Sequence, residues 1–283
     1  MSKGKILVLA ATGNVGAPLV AELLGKGEQV KAASRAASPS LPAGAEPARL
    51  DLSDPRSIDP ALDGVDRIYA VSPAGYLDQL GLLGPVVEAA APRKIKVVLQ
   101  TAIGVDASDA IPFRQLELQL ERSGTPFVIL RPNWFSDNFA TYWVRGVQAG
   151  EIRVPAGEGR TSFVDARDIA AAAASALVTN RHDGKAFALT GSKAYSYAEA
   201  AALLSKALGR TIRYNPVDDR TFIDETVAGG LSQGYAELLA AIFHPVAEGW
   251  VAATTDAVET LSGSKPRSLE ESIGDVARRL QAA

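Results

Sequence analysis

The chain has 283 residues, 47% of them hydrophobic, with a formal net charge of −3, so it can bury a core but has no general attraction for nucleic acid or an anionic membrane. It contains no cysteine and two histidines, His182 and His244, far apart in the chain. Disulfides, thiolate ligands and cysteine nucleophiles are therefore excluded, and a zinc site or a Ser-His-Asp triad is disfavoured.

The first half alternates short apolar runs with helical patterns. Segments 5–10, 29–34, 48–52, 67–71, 96–100 and 127–130 read as strands, and 15–24, 77–90 and 113–122 as helices. Near-continuous apolar strands separated by helices predict an α/β fold, a doubly wound parallel Rossmann sheet covered on both faces. The basic cluster Arg93-Lys94-Ile95-Lys96 predicts a solvated helix end.

The second half predicts a smaller, mostly helical lobe. Segment 134–149 reads as a helix ended by Gly150, 151–154 as a short strand, and 169–178 as a helix. Ser196-Tyr197-Ala198-Glu199 and Ser268-Leu269-Glu270-Glu271 are capping boxes, the first opening a helix that stops at Gly209. Strands are expected at 186–189, returning to the main sheet, and at 212–214. The division expected is a nucleotide-binding domain over 1–150 and a substrate lobe over 151–283. His182 lies in a polar run that predicts an exposed turn, and His244 precedes Pro245 at a predicted helix break. The apolar runs 6–11 and 169–178 are too short for a signal peptide or a membrane span, so a cytoplasmic protein with no membrane partner is expected.

The first strand runs into Ala11-Thr12-Gly13-Asn14-Val15-Gly16, which opens a helix. Such a turn suits a dinucleotide pyrophosphate. Gly13 lets the backbone approach the phosphates, Gly16 lets helix and strand pack closely, and Thr12 and Asn14 add side-chain hydrogen bonds. The same pattern also serves an ordinary tight turn between strand and helix. Alanine stands where the usual first glycine would be, which is acceptable if φ stays negative there. The second strand ends in Ser34-Arg35, where NAD enzymes carry an acid. Arg35 can pair with a 2′-phosphate and Ser34 can hydrogen-bond to it, which points to NADP(H) over NAD(H); otherwise Arg35 is a surface arginine. Asp51 and Leu52 end the third strand, where Asp51 either accepts from the adenine amino group or caps the following turn.

These segments, with Leu130-Arg131-Pro132-Asn133-Trp134-Phe135-Ser136-Asp137-Asn138-Phe139, 163–170 and 262–268, resemble the NmrA-like family of atypical short-chain dehydrogenase/reductases. The similarity is to the branch of the ergot-alkaloid festuclavine and agroclavine dehydrogenases and their bacterial NAD(P)H-binding relatives. It implies an NADP(H)-binding Rossmann domain with further cofactor contacts at Val71, Ser72, Pro73, Thr101 and Ala102, and a nicotinamide near Pro132, Asn133 and Trp134. It also implies that Asp168 is a helix cap rather than a catalyst.

Two departures matter. None of the seven tyrosines is followed four residues later by a lysine, so the Tyr-x-x-x-Lys pair is missing. Many relatives carry lysine or histidine four positions before a helix glutamate; here Phe113 precedes Glu117. No catalytic acid or base can be assigned. The expected enzyme is an oxidoreductase passing hydride from NADPH to a small planar electrophile, an imine or iminium ion or a quinone. Tyr76, Phe113, Trp134, Phe135 and Trp143 either wall its pocket or belong to the core, and Asn133 or Asn138 can orient the substrate. The alternative is an NADP-sensing binding protein with little or no turnover.

Overall fold

The computed structural model describes residues 4–35 and 41–282. The chain divides into two compact units: residues up to Pro132 with Ala166–Leu189 and Ala257–Ser264 form the first, and Asn133–Asp165, Thr190–Asp256 and Lys265 onward form the second.

Along the chain, the first unit begins with strand β1 (Lys5–Val8), helix α1 (Gly16–Gly25), β2 (Val30–Ser34), β3 (Glu46–Arg49) and the short α2 (Ile58–Ala61). It continues with β4 (Val65–Val71), α3 (Gln79–Ala90), β5 (Lys96–Gln100), α4 (Pro112–Arg122) and β6 (Phe127–Pro132). The second unit contributes α5 (Val144–Ala149), β7 (Glu151–Ile152) and β8 (Arg160–Thr161). The chain re-enters the first unit for α6 (Ala166–Val178) and β9 (Lys185–Leu189). Then come β10 (Tyr195–Ser196), α7 (Tyr197–Leu208), β11 (Arg213–Tyr214), α8 (Asp219–Ala228) and α9 (Gln233–Ala247), before α10 (Ala257–Ser262) in the first unit and α11 (Leu269–Ala282) in the second.

The first unit is built on a seven-stranded sheet of order β3-β2-β1-β4-β5-β6-β9, every pairing parallel. All five residues of β5 are buried, as a strand covered on both faces requires. One face is covered by α2, α3 and α4 through Ile58, Leu83, Val86, Val87, Leu116 and Leu120. On α6 alanines 170, 172, 173, 174 and 176 are buried; small side chains let this helix lie close to β5 and α1. The predicted return of a strand at 186–189 is met by β9, which pairs with β6.

In the second unit β7 pairs with β11 and β8 with β10. Its core is aromatic: Phe139, Phe163, Tyr197 and Phe243 are buried, and Tyr197 stands edge-on to Trp143 and Phe163 at 5.5 and 5.4 Å between centroids. Ser196 and Glu199 form the expected capping box of α7, which Gly209 ends in a left-handed conformation. Ser268 and Glu271 exchange the same pair of bonds at the start of α11.

Several local expectations give way to long-range contacts. The third strand lies two residues earlier than predicted, because Asp51 turns the chain by accepting from Ser53 N at 3.0 Å. No continuous helix covers 134–149. Trp134 O accepts from Val164 N at 2.9 Å and Ser136 N donates to Val164 O at 3.0 Å, so residues 134–135 are extended, a 3-10 turn spans Ser136–Ala140, and only α5 is α-helical. Helix α6 starts at Ala166, which puts Asp168 in the first turn rather than at the cap; an acid there still suits the helix dipole. His182 is buried, edge-on to Phe187 at 5.5 Å, not exposed. Pro245 lies within the last turn of α9 and does not break it. Arg93 and Lys94 are exposed as expected, but Lys96 is buried, donating to Thr179 O at 2.5 Å and paired with Asp183. Among the described residues no helix is long and apolar enough to cross a membrane.

Candidate cofactor site

The strand order reverses at β1 and β4, and in an open parallel sheet ligands bind beyond the carboxyl ends of the strands at such a switch point. The residues singled out for the cofactor fall at those ends. Thr12, Gly13, Asn14, Val15 and Gly16 follow β1; Ser34 and Arg35 end β2; Asp51 and Leu52 follow β3. Val71, Ser72 and Pro73 end β4, Thr101 and Ala102 follow β5, and Pro132 ends β6.

The first turn is tighter than expected. Ala10 has φ 50°, in the left-handed region that glycine usually fills. This geometry directs the Ala10 carbonyl at the helix start, where it accepts from Gly13 N at 2.8 Å. A Cβ on Gly16 would lie 2.0 Å from that oxygen and 2.9 Å from Ala11 Cα, whereas one on Gly13 would stand 3.1 Å from the oxygen. Gly16 is therefore the more demanding glycine, and Gly13 keeps the approach to the turn open. No side chain caps α1 and no acid occupies its first turn; Ala17 N already donates to Gly13 O and Pro18 has no N–H, so it is the positive dipole end and the turn ahead of Ala17 that are open to an anion. Thr12 and Asn14 beside them are exposed. Replacing Ala10 with glycine is expected to raise stability by up to about 1.6 kcal/mol, as roughly 1–2 kcal/mol of left-handed strain is relieved against about 0.4–1 kcal/mol of unfolded-chain entropy. A lower melting temperature for Ala10→Gly would show that Ala10 is not strained.

Arg35 is exposed and Ser34 half-buried at the end of β2. Asp51 Oδ1 accepts from Ser53 N at 3.0 Å and from Ser53 Oγ at 2.6 Å. Those two bonds, the side-chain one the stronger, hold its carboxyl below the usual aspartate range, with a smaller contribution from the charge of Arg35. Asp51 thus closes a turn, and the cap of the next 3-10 turn is Asp54, which accepts from Arg56 N.

Thr101 is tied into a buried ionic network that the sequence reading did not assemble. Glu117, wholly buried on α4, accepts from Thr101 Oγ1 at 2.7 Å, from Arg131 Nε and Nη2 at 3.0 and 2.7 Å, and from Arg114 Nη1 at 3.0 Å. Arg131 also meets Asp106 at 2.5 Å, and Arg114 meets Glu121 at 2.9 Å. Burial works against the charge on Arg131, but the bonds it donates to Glu117 and the charge of that carboxylate outweigh it and raise the pKa. The network fixes the ends of β5 and β6, which are also joined through Ile103 N to Pro132 O at 3.0 Å. Two signals in the sequence pointed to it: a glutamate between Leu116 and Leu120 on the apolar face of a helix, and an arginine closing an apolar strand.

The residues named for a substrate lie in both units. Tyr76, in the loop after β4, and Phe113, in the first turn of α4, are half-buried in the first. Asn133, Trp134, Phe135 and Asn138 are in the second. Asn133 is buried and its carboxamide is heavily engaged: Nδ2 donates to Ser162 Oγ at 2.9 Å and Val251 O at 2.8 Å, and Oδ1 accepts from Trp134 N at 2.9 Å and Thr161 Oγ1 at 3.0 Å. Trp134 stacks on Phe243 at 4.6 Å and stands 5.7 Å from Trp143. Asn138 is buried, and Phe135 is half-buried beside Val164.

The chain is 32% identical over 273 residues to the uncharacterized oxidoreductase YesF of Bacillus subtilis, covering 96% of this chain and 94% of that one. It is 30% identical over 274 residues to the NAD(P)H azoreductase of Xenophilus azovorans, covering 94% and 96%. The crystal structure of the Citrobacter sp. triphenylmethane reductase complexed with NADP(H) superposes with a TM-score of 0.80 at 25% identity, over 96% of this chain and 99% of that one. The model of the NmrA-like family matches residues 2–280, and the chain belongs to that family.

Proposed function

We propose that the protein is an NADPH-dependent oxidoreductase that prefers NADP(H) to NAD(H) and reduces a small planar electrophile, an imine or iminium ion or a quinone. The observation that carries the reading is the conjunction of an uncapped helix start behind a glycine turn at the sheet's switch point with an exposed arginine, and no acid, at the end of β2. The named oxidoreductases among its relatives support it, as does the NADP(H) bound by the triphenylmethane reductase.

Each element has a stated task. The turn's N–H groups with Thr12 and Asn14 hold the pyrophosphate, and Arg35 with Ser34 holds the 2′-phosphate. Asp51, Leu52, Val71, Ser72, Pro73, Ala102 and Pro132 line the remaining strand ends. Glu117 fixes Thr101 at the end of β5. NADPH, when bound, supplies the hydride. Trp134 and Phe135 offer flat apolar surface for the acceptor, and Asn138 an orienting hydrogen bond. Tyr69 and Tyr197 are fully buried, which pushes their hydroxyl pKa values up and makes them poor acids. An iminium carbon takes up hydride to give a neutral amine without a proton in that step, and a quinone gives a delocalised anion that water can protonate. A ketone gives an alkoxide, for which a positioned acid is worth about 10²–10⁴-fold.

Incubation with NADPH and a panel of iminium, quinone, azo and ketone acceptors, followed at the nicotinamide absorbance, tests the reading. Iminium or quinone turnover faster than ketone turnover by orders of magnitude is expected. Efficient ketone reduction governed by an enzyme acid would overturn the acceptor assignment, and tight NADPH binding without turnover would favour a sensor. Calorimetry on Arg35→Ala should show NADP(H) affinity reduced about 10- to 100-fold, the worth of an ionic hydrogen bond, with NAD(H) affinity unchanged. Equal losses would remove Arg35 from the phosphate.

A further inference from the structure

We propose that Arg49, on the neighbouring strand β3, is a second residue that reads the 2′-phosphate; the inference rests on the assignment of Arg35. Strands β2 and β3 run parallel with Ser34 directly opposite Arg49, and Leu50 N continues the ladder to Ser34 O at 3.1 Å. Paired residues on adjacent strands are about 4.8 Å apart and project to the same face. Arg49 therefore shares the face of Ser34, and Arg35, the next residue, lies in the bend where β2 ends. The alternation on β3 agrees, with Ala48 buried and Arg49 exposed.

What singles out the two arginines is the state of the acids around them. Asp51 is occupied by Ser53, and Asp54 by Arg56, whose Nε and Nη2 donate to it at 2.8 and 3.0 Å. Arg35 and Arg49 are close enough for their charges to lower the pKa values of Asp51 and Asp54 respectively, yet neither guanidinium forms an ion pair among the described residues. A chain of net charge −3 thus presents, at adjacent strand ends, two cations that are unpaired among the described residues, where it has left acids already satisfied. A phosphate monoester carries nearly two negative charges at neutral pH and three acceptor oxygens, and one arginine neutralises half of that. The diphosphate of the same cofactor has its own site at the glycine turn, so the pair on β2 and β3 is matched to the ribose phosphate.

Calorimetry with adenosine 2′,5′-bisphosphate, 5′-AMP and inorganic phosphate on the wild type, Arg35→Ala, Arg49→Ala and Arg49→Lys distinguishes the possibilities, with circular dichroism confirming the fold. Arg49→Ala is expected to weaken the bisphosphate about five- to tenfold and leave 5′-AMP unchanged, with Arg49→Lys recovering part of the loss. Equal losses for bisphosphate and 5′-AMP would assign Arg49 to the adenosine or to the strand and overturn the proposal. Inorganic phosphate binding as tightly as the bisphosphate would make the pair a free-phosphate site and also overturn it. A wild type that holds 5′-AMP as tightly as the bisphosphate would defeat the reading of Arg35 itself. Loss in Arg35→Ala with none in Arg49→Ala would leave that reading standing and defeat only this one.

Discussion

Gly16→Ala is expected to destabilise the protein by about 3 kcal/mol and to abolish binding of NADP(H), although alanine is the better helix former by about 1 kcal/mol. The sign is set by packing. The new Cβ would lie 2.0 Å from Ala10 O, 2.8 Å from Ala10 C and 2.9 Å from Ala11 Cα, all backbone atoms that cannot swing aside as a flexible side chain would. Relief requires the turn between β1 and α1 to move, and that turn is where the pyrophosphate is proposed to sit. Gly25, at the other end of the same helix, provides the control. A Cβ there meets nothing within 4 Å, so Gly25→Ala should raise stability by up to about 1 kcal/mol. Urea unfolding of the two variants, with nucleotide titration of each, checks the pair. A Gly16→Ala protein as stable as the wild type would mean that the turn relaxes freely and that its shape is not fixed by the close approach.

Glu117→Ala should cost about 3 kcal/mol, the lower end of the range for breaking a buried ion pair. The carboxylate is wholly buried and takes four donors, so its loss leaves two guanidinium groups without their shared acceptor. The lower end applies because Arg131 retains Asp106 and Arg114 retains Glu121. A second consequence concerns position rather than stability: Thr101 loses the acceptor that fixes its hydroxyl at the end of β5, so cofactor affinity should fall as well. Combining Glu117→Ala with Arg131→Met separates the causes. If the cost arises from an orphaned cation, removing it should recover part of the loss, measured as a coupling in urea unfolding. Strict additivity would show that the two side chains act independently and that the destabilisation comes from the cavity alone.

These two effects differ in how far the sequence foretold them. The alternation of apolar strands and helices, the glycine turn after the first strand, the basic residue ending the second, and both capping boxes are local patterns, set by backbone sterics and the spacing of apolar side chains within one element. They were legible as they stand. So was the return of β9 to the main sheet, because a short apolar strand in a helical stretch has few ways to satisfy its backbone except at a sheet edge. The role of Gly16 in close packing was legible too. The left-handed conformation of Ala10 was not, since nothing in the residue type asks for it; the carbonyl must face the start of α1, and the fold imposes the angle.

Other features depended on partners remote in the chain. Trp134 and Ser136 have helical neighbours in sequence but bond to Val164, and a backbone ladder outweighs a weak helix propensity. His182 follows polar residues yet is buried because its turn folds back beside Phe187 and Lys96. Glu117, Arg114 and Arg131 each read singly as a charge on a helix or strand, and only the packing of α4 against β6 makes them one buried network. The sequence by itself thus determined the sheet, the glycine turn after β1 and the charge offered at the end of β2. Only the tertiary structure decided which charges meet, that Ala10 takes the left-handed conformation and which polar groups are buried, because those depend on contacts between residues that no local pattern relates.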